Sequence, residues 1–162
     1  MNLENIIRQG SKILKSYNIK SHELDAQIIL SNIIGLEREC LTTIGQKNIS
    51  IKNKKKFDVA IQRRVKNEPI AYITGKKEFW TENFIVNQST LVPRPETELL
   101  IYKIVKCFKY KSINILDIGT GSGCILLSIL KELNYAKGTG IDVSANAIQT
   151  AKKISKNLKL IH

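Results

Sequence analysis

The sequence is short of aromatic residues, cysteine, proline and acid. Aromatics make up 6% of 162 residues, so a packed core has to be built mostly from Ile and Leu. The three cysteines, Cys40, Cys107 and Cys124, are odd in number and no two stand at metal-ligand spacing. That excludes a closed disulfide set and fits a reducing cytoplasm. His22 reads as a lone surface residue beside a helix start, and His162 as a terminal residue without a role, so no metal is expected. No apolar run approaches the ~20 residues that span a bilayer. MNLENIIRQG has no positive stretch followed by an apolar one, so a signal peptide is not expected. Acidic residues number 14 against 26 Lys and Arg, a formal charge of +12. Such an excess attracts polyanions, including nucleic acid, at long range. A Lys-, Asn- and Ile-rich composition gives the same number without a partner, and both readings stay open.

Hydrophobic residues make up 43%, enough to exclude a disordered chain. The first segment carries Leu3, Ile6, Ile7, Gly10, Ile13, Leu14 and Tyr17 at helical spacing. Ser21 suits the cap of a second helix with Leu24, Ile28, Ile29 and Ile33 on its apolar face, and Gly35 suits its end. A short helix is predicted near 38–43. Ser50 caps a fourth, with Phe57, Ala60, Ile61 and Val65 facing inward and the basic run 52–56 facing water. Pro69 forbids that helix from continuing. Glu78–Trp80 and Phe84–Val86 read as a hairpin around Thr81-Glu82-Asn83. The expected division is a helical domain over 1–67, a hairpin linker over 68–92 and a further domain over 93–162.

That last part reads as α/β. Pro93 and Pro95 impose an extended path and then a helix start, with Glu96 and Glu98 in the first turn, where acids suit the helix dipole. The helix continues through Leu99, Leu100, Ile104, Val105 and Phe108. Strands over 113–118 and 138–143, helices from Ser122 and Ser144, and the opening of a third strand at 158–162 imply a parallel sheet.

The chemistry gathers at Asp117-Ile-Gly119-Thr120-Gly121-Ser122-Gly123, where the first of these strands gives way to a helix. Glycines permit the sharp turn and let a ligand approach the backbone. Asp142 ends the next strand, where a carboxylate can accept both hydroxyls of a ribose. A dinucleotide fingerprint would have a small residue at position 124; here that residue is Cys124. The alternate glycines and Asp117 suit the positive sulfonium and amino group of S-adenosyl-L-methionine better than a pyrophosphate. Dinucleotide binding and a turn without a ligand are the alternatives.

Glu68-Pro69-Ile70-Ala71-Tyr72-Ile73-Thr74-Gly75, Glu78-Phe79-Trp80, Leu91-Val92-Pro93-Arg94-Pro95-Glu96-Thr97-Glu98 and the glycine loop together resemble the release factor glutamine methyltransferases, the HemK or PrmC family. The likeness runs in order and spacing from about Ser21 onward. It implies a helical release-factor-recognition domain, a hairpin linker and a Rossmann-like class I methyltransferase sheet. It implies cytoplasmic N5-methylation of the glutamine in the Gly-Gly-Gln motif of peptide chain release factors. Gly119–Gly123 would cradle the methionine part of the cofactor, Asp142 would hold its ribose, and Pro93, Arg94, Pro95, Glu96 and Thr97 would stand at the active-site mouth. The family's Asn-Pro-Pro-Tyr motif, whose Asn and Pro accept the amide hydrogens of the glutamine, is absent. No catalytic residue is therefore assigned. A truncated sheet, inactive alone, is expected, with a separate chain carrying the later strands as one potential partner. Two other readings compete: part of a nucleic-acid methyltransferase, suited to the +12 charge, and a non-enzymatic module that docks a release factor.

Overall fold

A computed structural model describes residues 2–43 and 45–160. The chain forms two compact units that divide between Thr74 and Gly75. Among the described residues no helix is long and apolar enough to cross a membrane.

The first unit is helical: α1 (Leu3–Ser16), α2 (His22–Ile34), α3 (Cys40–Thr43), α4 (Ile51–Val65) and α5 (Ile70–Thr74). Asn2 and Ser50 cap α1 and α4 by accepting the amides of Asn5 and Asn53, which satisfies orphan donors of the first turn. Gly35 ends α2 in the left-handed conformation, at a φ of 71°. Ile6, Leu14, Ile29, Leu30, Phe57 and Ile61 fill the core. Where α1 meets α4, Gly10 leaves the space that the Phe57 ring occupies: a Cβ there would come within 2.6 Å of it.

Periodicity misplaced part of this surface. Ile13, Tyr17 and Leu24 are exposed, and Asp25 is buried instead. Its carboxylate accepts Arg64 Nε at 2.7 Å and the Ser21 hydroxyl at 2.9 Å. An ion pair with hydrogen bonds makes that burial tolerable. Ser21 thus bonds a side chain, not the helix amides. His22 is half-buried, with Nδ1 2.9 Å from the Ser11 hydroxyl, and is not the lone surface residue expected. Arg63 donates to Glu68 at 2.7 Å and to the Tyr72 carbonyl at 3.3 Å, tying the segment after α4 back onto it. The hydrogen bond from Arg63 holds the Glu68 carboxyl below the usual carboxylate range.

The second unit opens with the hairpin β1 (Lys76–Phe79) and β2 (Glu82–Ile85). It sits earlier than expected. Phe79 pairs with Glu82, so the turn is Trp80-Thr81. Trp80 takes a left-handed φ of 56°, which strains a bulky residue. Two carboxylates hold it there: Glu98 accepts its amide at 2.9 Å and Glu132 its indole N–H at 2.7 Å. A 3₁₀ turn, Pro95–Thr97, leads into α6 (Glu98–Phe108). Then come β3 (Asn114–Ile118), α7 (Cys124–Glu132), β4 (Lys137–Ile141) and α8 (Ala145–Asn157). The core joins Phe79 and Phe84 to Ile101, Leu127, Ile129, Leu133 and Ile154. On α6, Leu99 and Leu100 are exposed and Ile101 is the fully buried residue.

β3 and β4 pair in parallel, Asn114 opposite Lys137 through Ile118 opposite Ile141. Ile113 and Ile115 pack against the core, Gly138 lies against α7, and Gly140 lies against Thr120 in the loop after β3. A Cβ on Gly138 would come within 2.7 Å of Leu126, so that glycine lets α7 lie close. The opposite face is bare. Leu116, Ile118 and Ile141 are 60%, 75% and 47% exposed. Among the described residues β3 pairs with β4 only. The expected third strand is not formed at Leu158–Leu160, where a turn places Lys159 at a φ of 57°; Ile161 and His162 lie outside the described residues.

Candidate functional site

The glycine loop spans the gap between the C-terminal end of β3 and the start of α7. The backbone turns by placing three alternate glycines in the left-handed region, with φ of 78°, 56° and 76° at Gly119, Gly121 and Gly123. Only glycine adopts that sequence of angles without strain. The loop is then tied down on three sides. The amides of Gly119 and Thr120 both donate to the Ile141 carbonyl, at 2.8 and 2.9 Å. Asp117 Oδ2 accepts the Thr120 hydroxyl at 2.8 Å. Asp142 Oδ2 accepts the Gly121 amide at 2.8 Å, and its Oδ1 accepts the Ser144 amide at 2.8 Å. Ser144 in turn caps α8 through Ala147.

The three glycines differ in what surrounds them. No atom lies within 4 Å of the Cβ position at Gly119 or Gly121, so both open onto free space. At Gly123 a Cβ would meet Leu127 at 3.0 Å, which makes that glycine a packing requirement of α7. Ser122 is buried with its hydroxyl unpaired. Such a group inside a loop is either an energetic cost or one half of a contact with something else.

Electrostatics favour a carboxylate at the loop. The amides of Ser144 and then Gly121 hold the Asp142 carboxyl below its ordinary range, so it is ionised at neutral pH. A carboxylate offers about four acceptor sites, and the two amides use one on each oxygen. The carboxylate keeps acceptor capacity for the hydroxyls of a ligand. Burial pushes the Cys124 thiol up, which removes it as a nucleophile at neutral pH. The donor set fits S-adenosyl-L-methionine: open glycines for close approach, Asp142 for hydroxyls, and Asp117 as negative charge beside the loop.

The site residues expected from sequence are thus partly brought together. Asp117, Thr120, Gly121 and Asp142 are joined by direct bonds, and Gly119 and Thr120 by the shared carbonyl. Pro93–Thr97 is not joined to them by any hydrogen bond among the described residues. Pro93 is buried, while Arg94, Pro95 and Glu96 are exposed. Sequence reading missed the Trp80–Glu98 bond that anchors this segment. The signal was present in Glu98 at the start of a helix, but its partner lies 18 residues away.

Comparison with known proteins finds likeness to two domain families along the chain. Residues 5–75 match the PrmC N-terminal domain, and residues 109–162 match a methyltransferase domain. It is 36% identical over 148 residues to the release factor glutamine methyltransferase of Caulobacter vibrioides, covering 91% of this chain and 51% of that protein. The corresponding Shewanella oneidensis enzyme is 37% identical over 141 residues, covering 87% and 49%. A bifunctional methyltransferase of Rickettsia typhi is 34% identical over 185 residues, covering 99% and 36%. The chain therefore spans about half the length of the release factor glutamine methyltransferases it matches. Its α/β unit is a partial class I methyltransferase-like fold.

Proposed function

We propose that this chain provides the cofactor-holding half of a protein-(glutamine N5) methyltransferase acting on peptide chain release factors. S-adenosyl-L-methionine, when bound, supplies an electrophilic methyl group on a sulfonium. Gly119 and Gly121 let it approach the backbone, Asp117 offsets its positive charge, and Asp142 accepts its ribose hydroxyls. The helical unit, proposed as residues 1–67, recognises the release factor, and Pro93–Thr97 borders the entry to the site. The observation that carries this reading is the Gly121–Asp142 bond, which fixes an open glycine turn beside a carboxylate with acceptor sites to spare.

An amide nitrogen is a poor nucleophile because its lone pair is delocalised. Methylating it requires acceptors that hold its hydrogens and align it with the methyl group. The 162 residues contain no Asn-Pro-Pro-Tyr to do this. Residues 1–162 alone are therefore expected to bind cofactor weakly and transfer nothing. Polypeptide equivalent to the relatives' second half would complete the sheet over Leu116, Ile118 and Ile141. The test is methyl transfer from labelled cofactor to a release factor, with the chain alone and with that polypeptide added. Label only in the combined reaction, and none on a release factor whose motif glutamine is replaced, is the expected result. Label with the chain alone would overturn the inactivity. No label under either condition, with no release factor retained by the chain, would overturn the function.

A further inference from the structure

A second surface of the α/β unit has a chemistry that the methyl-transfer reading does not use. Six residues of the chain are Trp or Tyr. Three of them, Trp80, Tyr102 and Tyr110, line one groove of about 370 Å³ between the hairpin turn and α6. Val105 completes an apolar floor, and Lys106, Lys109 and Lys111 form the rim. The Lys109 ammonium stands 5.8 Å from the centre of the Tyr110 ring, and that of Lys111 stands 5.4 Å from the Phe108 ring. No acidic residue occurs between Glu98 and Asp117. Glu132 does approach Trp80, but it takes the indole N–H, which lies in the ring plane and leaves the ring faces out of that bond. Favourable placement at a helix C-terminus accounts for Lys106. It does not account for rings exposed to water: Tyr102 is 53% and Tyr110 86% exposed.

We propose that this groove binds single-stranded nucleic acid, with unpaired bases stacked on the exposed rings and phosphates held at the lysine rim. Aromatic faces interleaved with positive charge are what a sequence-tolerant single-strand site requires, because every base has a π-face and every nucleotide a phosphate. The rim consists of lysines, point charges that follow a phosphate chain. An acidic peptide would favour the arginine fork that matches a carboxylate, and the groove has no arginine. The excess positive charge of the chain adds long-range attraction for the same partner. This inference stands apart from the methyltransferase reading, since it uses none of the loop residues.

The single tryptophan lies in the groove, so its emission reports occupancy directly. The full chain would be titrated with single-stranded oligouridylate and oligodeoxyuridylate of about twelve nucleotides, and with a duplex of equal length, over a salt series. Single strands are expected to quench Trp80 and to bind more tightly than duplex. Tyr102→Ala with Tyr110→Ala should weaken binding about tenfold or more, while the Tyr→Phe pair, which keeps the ring faces, retains it. Lys106→Gln, Lys109→Gln and Lys111→Gln together should flatten the slope of log affinity against log salt by about 2, the loss of three phosphate contacts. Lys52→Gln, Lys55→Gln and Lys56→Gln, on the exposed face of α4, remove the same charge away from the groove and should change both readouts much less. The proposal is overturned by absent quenching, by equal affinity for duplex, by an equal loss in the α4 variant, or by a polyglutamate peptide that binds as tightly. If the Ala pair fails to fold, by circular dichroism, the Phe pair and the lysine variants decide. A difference between the two oligonucleotides would separate RNA from DNA as the source of the ligand.

Discussion

The Asp142 carboxylate reaches from the end of β4 to the Gly121 amide, 2.8 Å away, while its second oxygen accepts from Ser144 at 2.8 Å. One side chain thus fixes the apex of the glycine loop and the entry to α8 together. Whatever binds above the loop meets a carboxylate that is already oriented. The arrangement separates two roles that a single substitution would confuse, since Asp142 both shapes the loop and presents acceptors to a ligand.

Asp142→Ala should therefore abolish cofactor binding measurable by calorimetry, and Asp142→Asn should weaken it about tenfold or more while preserving the loop, because an amide oxygen still accepts from Gly121. Equal affinity in the Ala variant would remove Asp142 from the site. The pH dependence follows from the lowered pKa. A carboxyl that holds its proton less tightly in the folded chain contributes fully above its ordinary value of about 3.9, and that contribution fades as pH falls through the lowered one. Binding should be independent of Asp142 titration from about pH 5 to 8. An inflection near neutrality that vanishes in Asp142→Asn would contradict the assignment.

Gly121→Ala tests the cradle. Free space surrounds the Cβ position, so the substitution clashes with nothing in the chain, yet φ of 56° is unfavourable for alanine. The strain should cost about 1–2 kcal/mol of stability. Cofactor affinity should fall by more than that strain accounts for, because the methyl group occupies the approach path. Paired denaturation and calorimetry measure both. A fall in stability with unchanged affinity would mean that the ligand does not approach here.

Much of this fold was legible because local chemistry and global packing agree. Ser50, Ser144 and Gly35 punctuate helices as their side chains dictate, and the alternate glycines announce a left-handed turn. What escaped was non-local. Asp25 had no role legible in the sequence, because its partner Arg64 lies 39 positions away. Trp80 looked like a strand residue, and it occupies a strained turn because Glu98 and Glu132 hold it. Ile13, Tyr17 and Leu24 fit an apolar period but lie beyond the width of the face that the bundle buries. At the site, the loop and Asp142 were readable from spacing. The bonds that connect them depend on β3 and β4 pairing in one register, which spacing alone does not give.

Gly10→Ala opposes two effects of known sign. Helix propensity favours alanine by about 1 kcal/mol. The new methyl would lie 2.6 Å from the Phe57 ring and 3.1 Å from Ile61 in a close-packed core. Overpacking costs about 1–3 kcal/mol, so net destabilisation is expected. Urea denaturation followed by circular dichroism measures it. A more stable variant would mean that α1 and α4 are less closely packed than the distances imply.

Asp25 and Arg64 form the buried ion pair of the helical unit, their side chains 6% and 18% exposed. Asp25→Ala leaves a largely buried guanidinium without its partner, a loss of about 3 kcal/mol. Replacing both residues together, Asp25→Leu with Arg64→Met, should recover much of that loss, because no orphan charge remains. A double-mutant cycle in thermal unfolding gives the coupling. Additive losses would show that the pair acts through packing alone.

The bare sheet face leads to the last prediction. Parallel sheets are covered on both faces, because their unpaired edges and apolar sides are unstable in water. Leu116, Ile118 and Ile141 stand in one patch beside the unpaired edge of β3. If polypeptide equivalent to the relatives' second half completes the sheet, adding it in trans should bury this patch, reduce binding of a hydrophobic dye and permit methyl transfer. Leu116→Lys with Ile118→Lys should leave the chain folded, since both side chains already face water, but should abolish the complementation. Cofactor binding measured in parallel separates failed docking from a damaged loop. Transfer that persists in the lysine variant would mean that the second half joins elsewhere, and that the exposed face of β3 and β4 has no part in assembling the site.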